Sequence, residues 1–182
     1  MGGIINYFSL IIMKIYIATD HRGYVLKEKI KQWLLEWNYE CEDFGAHKLD
    51  LKDDYPDFIS LAAQAVSKNP ENSRGIILGG SGQGEAIVAN KYKGVRAIVY
   101  YGGPEDIIKL SREHNNANVL SLGVFFLDEE NTKNVVRLWL ETPFSGDERH
   151  VRRINKISAI GVRDSNMNQI EKSKNEIISQ DF

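Results

Sequence analysis

The stretch GGSGQGEAIVANK, residues 79–91, sets four glycines, a serine and one carboxylate, Glu85, between an apolar run and a helical pattern. It fits neither the phosphate-cradling GxxxxGK(S/T) loop nor the dinucleotide GxGxxG turn, because Gly80, Gly82 and Gly84 alternate and lead straight to Glu85. Such a loop supplies backbone N–H groups at a helix start, with no side chains to block the approach of an oxyanion. One donor of that kind lowers a barrier by roughly 3 kcal/mol. The segment equally fits a strand-to-helix turn capped by Ser81, with Glu85 only complementing the helix dipole. To serve as a general base, Glu85 needs burial that lifts its pKa toward the working pH, the condition under which a base contributes about 10²- to 10⁴-fold.

Three further segments carry groups with chemistry. TDHRG (19–23) places Asp20 and His21 directly after an apolar run. Asp20 can accept hydrogen bonds from sugar hydroxyls and His21 can donate to an anion, although both also suit a solvated loop. SREHNNAN (111–118) puts His114 and Asn115 at a helix end, where His114 either moves a proton near neutral pH or caps the helix. GDERHVRRINK (146–156) spaces Arg149 and Arg153 four apart, with Arg152 beside them. If helical, the pair shares a face and forms a forked phosphate receptor, or else a solvated charged face. His21, His47, His114 and His150 show no ligand spacing on one element, so no resident metal is expected. Cys41 is the single cysteine, which excludes an intramolecular disulfide framework and suits a reducing, cytoplasmic setting.

These groups need a scaffold. Ile-, Val- and Leu-rich runs predict five strands: KIYIAT (14–19), YECEDF (39–44), GIILG (75–79), VRAIVYY (95–101) and NVLSLG (118–123). Leu26, Ile30, Trp33, Leu34 and Trp37 form one helical stripe, and the two tryptophans read as packing. Further helices are expected over 58–67, 85–91, 105–113 and 132–140, so each strand leads into a crossover helix. The fold class is α/β, a three-layer α/β/α sandwich around a parallel sheet. In such sheets ligands sit beyond the carboxyl ends of the strands, which points to TDHRG, GGSGQGE, YGGPED (101–106) and whatever follows the fifth strand.

A length of 182 residues suits one domain, and a net charge of −2 gives no electrostatic case for nucleic acid, so the expected ligand is small. The opening apolar run, 4–13, is interrupted and too short to span a bilayer, and it lacks the features of a secretory signal. A clean strand starts directly after Met13, which makes Met13 a candidate natural start and residues 1–12 an extension. The domain is expected over 13–157, followed by a polar tail, 158–182, of at most helical character.

The order ATDHRG, DYPDF, GGSGQGEAIVANKYKGVRA, SREHNNANVLSLG and RHVRR resembles ribose-5-phosphate isomerase type B, a family that also includes the galactose-6-phosphate isomerase subunits. The likeness runs from about residue 13 to 157, and NKYKGVRA and HNNANVL are its most specific segments. The resemblance implies a Rossmann-like fold and a metal-free, cofactor-free interconversion of an aldose phosphate and its ketose through a cis-enediolate. It also implies a homodimer or dimer of dimers with sites shared between subunits, serving the pentose phosphate pathway. One branch of the family uses a cysteine base at the position of Gly79; the other carries Glu at the position of Glu85.

Carried over by position, Glu85 shuttles the proton between C2 and C1, while the N–H groups of Gly80, Gly82, Gln83 and Gly84, with Ser81, hold the enediolate oxygens. Asp20 and His114 open the furanose ring, Asn115 helps orient the substrate, Tyr55 lines the pocket, and His21, Arg149 and Arg153 grip the phosphate. One departure stands out: two residues after HNNANVLSLG the family usually has Arg, where this chain has Phe125. Either the remaining arginines suffice, an Arg enters from elsewhere, or the substrate differs. The alternatives to ribose 5-phosphate isomerisation are a hexose 6-phosphate isomerase, acting on allose or galactose 6-phosphate, and a phosphosugar-binding module without turnover.

Overall fold

The computed structural model describes residues 13–160. The expected extension over 1–12 and the tail beyond 160 lie outside them. The chain divides into two units, 1–143 and 144–182.

The first unit alternates strand and helix: β1 (Lys14–Thr19), α1 (Tyr24–Glu36), β2 (Glu40–Asp43), α2 (Tyr55–Lys68), β3 (Ser73–Gly79), α3 (Gln83–Ala89), β4 (Ala97–Tyr100), α4 (Asp106–Glu113), β5 (Val119–Gly123) and α5 (Glu129–Glu141). All pairings are parallel, in the order β2-β1-β3-β5-β4. The five expected strands are present, with ends shifted by a residue or two. Helix α2 begins three residues before the expected Phe58, because Pro56 in its first turn needs no N–H partner there.

Side-chain alternation along the strands builds two cores. Ile15, Ile17, Ile76, Leu78, Leu120 and Leu122 pack with Ile30, Trp33 and Leu34 of α1, Ile108 of α4, and Val135, Val136 and Trp139 of α5. The opposite faces of the strands, with Ala18, Ile77 and Val119, meet Ile59, Ala62, Ala63 and Val66 of α2 and Ala89 of α3. Strands buried on both sides read as continuous apolar runs, which is why β3 and β5 were legible from sequence. The tryptophan expectation holds for Trp33, which is buried in this core, and Trp37 packs at its edge.

Two polar contacts lock the frame under the site. Lys27 of α1 is fully buried, and its Nζ donates to both Asp43 carboxylate oxygens at 2.8 Å and to the Ala46 carbonyl at 2.7 Å. Burial alone would raise the Asp43 pKa, but the bonds from Lys27 and Lys31 hold it below its ordinary value. Thr19 Oγ1 donates to the Leu78 carbonyl at 2.9 Å, tying the carboxyl end of β1 to that of β3. From β1 the chain leaves toward one sheet edge, through α1 to β2, and from β3 toward the other, through α3 to β4. The crevice between these ends is the topological switch point, where open α/β sheets bind ligands.

In the second unit, residues 148–160 are helical. Arg149 and Arg153 therefore stand one turn apart on the same helix, as their spacing predicts. No described helix is long and apolar enough to cross a membrane.

Candidate active site

Glu85 lies in the first turn of α3 and is only 5% exposed. Its carboxylate rests directly on Gly79, where a Cβ would fall 1.7 Å from Glu85 Oε1. A side chain at 79 and this carboxylate compete for one volume. That exclusion gives a physical reason for the pairing of Gly79 with Glu85. Burial raises the Glu85 pKa; a hydrogen bond from its own backbone N–H opposes this, and the nearby charge of Asp20 adds to the rise. The carboxylate is thus a stronger base than a solvated one.

The loop between Gly79 and Glu85 is held from behind by the end of β5. Ser121 Oγ donates to the Gly82 carbonyl at 2.6 Å, and the Phe125 N–H donates to the Gly80 carbonyl at 3.1 Å. Gly82 has φ of +76°, a left-handed conformation that turns the chain into α3. The cap of α3 is Gly82, not Ser81, and no side chain caps it; Ser81 Oγ only accepts a long bond, 3.4 Å, from the Gln83 N–H. With the carbonyls of Gly80 and Gly82 engaged on the protein side, the N–H groups of Ser81 and Gly82 have no acceptor among the described residues. Tyr55, at the start of α2, closes one wall: a Cβ on Gly84 would come within 2.7 Å of its hydroxyl. Gln83 is exposed at the first position of α3.

Across the crevice, the β1 end contributes Asp20, which is 6% exposed, and His21. Asp20 Oδ1 accepts from the Arg22 N–H at 2.9 Å. His21 Nδ1 lies 2.5 Å from Asp53 Oδ1, which also accepts the His21 backbone N–H at 3.1 Å. The Asp53 carboxylate fixes the ring plane by taking the Nδ1 proton in a hydrogen bond, and Nε2 donates to an anion in the doubly protonated ring. Asp53 and Ser121 were not foreseen. Asp53 adjoins the DYP segment and Ser121 stands among apolar strand residues, but neither type signals a partner distant in sequence. Asp20, His21 and Asp53 each offer a ligand atom within 4.8 Å of the others, a spacing compatible with a metal ion. The short His21–Asp53 contact gives the same cluster a hydrogen-bonding role that needs none.

Not every expected residue joins this crevice. His114 is the C-cap of α4, and with Asn115 it precedes β5, at the amino ends of the strands. Glu85 follows the carboxyl end of β3. The five residues of β5 alone separate the two edges by about 16 Å. Within one chain the two residues therefore stand at opposite edges of the sheet. Arg149 and Arg153 belong to the second unit.

Residues 15–157 match the model of the Ribose/Galactose Isomerase family. The chain belongs to this family. A probable ribose-5-phosphate isomerase B from Mycoplasma genitalium is 41% identical over 143 residues, covering 79% of this chain and 92% of that protein. The crystal structure of ribose-5-phosphate isomerase B from Mycoplasma genitalium with bound ribulose-5-phosphate superposes with a TM-score of 0.76 at 40% identity, covering 80% of this chain and 93% of that one. The enzyme of the same name from Clostridium thermocellum gives 0.77 at 42% identity, over 83% and 99%. The three-layer Rossmann-like fold expected from sequence is the fold of these structures.

Proposed function

We propose that this chain is an aldose–ketose isomerase that interconverts ribose 5-phosphate and ribulose 5-phosphate, using Glu85 as the base. The observation that carries the reading is the buried carboxylate of Glu85, its pKa raised by burial, set at the head of a glycine loop with unspent N–H donors. Family membership and the ribulose-5-phosphate bound to a 40%-identical structure support the same substrate.

In the proposed reaction Glu85 takes the C2 proton of the open-chain aldose, leaving a cis-enediolate; the O2 hydroxyl proton passes to O1, and Glu85 returns its proton to C1 as the C2 carbonyl forms. The loop N–H groups, with Ser81, hold the enediolate oxygens as charge develops on them. Asp20 and His114 open the furanose ring, His114 arriving from a second copy, so the working unit is a homodimer or a dimer of dimers. The separation of His114 from Glu85 within one chain supports this arrangement. Asn115 helps orient the sugar and Tyr55 lines the pocket. His21, Arg149 and Arg153 bind the phosphate, each charge-assisted bond contributing roughly 1.5–3 kcal/mol. The chemistry needs neither metal nor cofactor, since burial of Glu85 and the loop donors supply base and electrophile.

The test is turnover of ribose 5-phosphate, allose 6-phosphate and galactose 6-phosphate with a chelator present. Turnover of ribose 5-phosphate that survives the chelator is expected. Preference for a hexose phosphate would change the substrate, binding without turnover would make the protein a phosphosugar-binding module, and loss with chelator would bring in the Asp20–His21–Asp53 cluster as a metal site.

A further inference from the structure

We infer that Arg22 is a substrate-binding residue, its guanidinium held over the mouth of the site by Phe125 to take the anionic end of the sugar phosphate. The inference rests on the isomerase reading for its ligand and on the following geometry for its place. Gly23 clamps the entrance of α1 against the end of β3: a Cβ there would meet Thr19 Oγ1 at 2.2 Å and Leu78 Cβ at 2.6 Å. Arg22, the preceding residue, is thereby fixed beside the point where β3 gives way to the glycine loop. Its backbone N–H is held by Asp20, and its neighbour is His21.

The side chain is directed too. The Arg22 guanidinium carbon lies 5.5 Å from the centroid of the Phe125 ring, within cation–π range. That ring in turn covers Gly80, where a Cβ would fall 2.7 Å from the ring edge, and the Phe125 N–H is bonded to the Gly80 carbonyl. Arg22, Phe125 and Gly80 thus form a stack at the rim of the oxyanion loop.

Nothing in the fold asks for a cation here. Arg22 is exposed and forms no ion pair with a carboxylate among the described residues. It precedes a helix whose first turn carries no acidic residue, so its charge sits at the end of α1 that the helix dipole makes unfavourable for it. An aromatic face holds a guanidinium in place while leaving its N–H fork open, which suits a planar cation awaiting a phosphate.

The test measures the affinity for inorganic phosphate by calorimetry and the kinetics with ribose 5-phosphate, on the full chain. Arg22→Ala is expected to weaken phosphate binding about tenfold and to raise KM by a similar factor, with the smaller part of the loss in kcat. Arg22→Lys keeps the charge without the fork and should fall between. Adding Phe125→Arg to Arg22→Ala returns a guanidinium to the same rim and should recover most of the phosphate affinity. Unchanged phosphate affinity and KM in Arg22→Ala would overturn the inference. So would a lowered melting temperature with phosphate affinity intact, which would mark a structural residue. A wild-type protein that binds phosphate through Arg22 yet isomerises no sugar would defeat the isomerase reading and leave this one standing.

Discussion

At the scale of single residues, the site turns on a carboxylate and the side chain its neighbour lacks. Replacing Glu85 by Gln keeps the volume and removes the base, so kcat should fall about 10²- to 10⁴-fold in a turnover assay. The same variant tests the burial. A carboxyl whose folded pKa is raised binds protons more tightly folded than unfolded, so stability falls as pH rises from its unfolded pKa through its folded one. Glu85→Gln should therefore raise the melting temperature at about pH 8 and change it little at about pH 4, where both states hold the proton. Gly79→Ala puts a methyl group where Glu85 Oε1 lies, 1.7 Å from the built position. The carboxylate must swing aside, and a loss of at least about 100-fold in kcat with the fold intact, read by circular dichroism, is expected. Glu85 could be picked out in the sequence because a lone acid follows a glycine loop. Its contact with Gly79 could not, since it depends on the rotamer that the buried pocket imposes.

Between elements, β5 acts as the backstop of the glycine loop. Ser121→Ala removes the hydroxyl bonded to the buried Gly82 carbonyl, which keeps the Ala86 N–H, and should cost about 0.5–1.5 kcal/mol in denaturant unfolding and loosen the turn that aims Glu85. A reduced kcat beyond what lost stability explains would identify the loop's position as the cause. Strand and helix order were legible because β3 and β5 are continuous apolar runs and α1 carries a clean stripe. What lies between elements was not: the His21–Asp53 pair joins residues 32 apart, and Ser121 reaches a carbonyl 39 residues away. Only the parallel register of the sheet brings such partners together.

For the molecule as a whole, the opposition of His114 and Glu85 across the sheet makes a sharp prediction. Glu85→Gln and His114→Asn, each nearly inactive alone, should on mixing and subunit exchange regain up to about a quarter of wild-type activity, because half the dimers are hybrids with one intact site of two. No recovery despite exchange shown by native mass spectrometry would place the two residues in independent roles. The sequence by itself determined the alternation of strands and helices, the loops that end the strands and the chemical types gathered in them, because apolar periodicity and glycine spacing are local properties. Tertiary structure alone decided that Glu85 is buried against Gly79, that Asp53 holds His21, and that Phe125 carries Arg22 over Gly80. It also set His114 at the far edge of the sheet, since direction in a parallel sheet is fixed by how β3 and β5 pair and not by any residue within them.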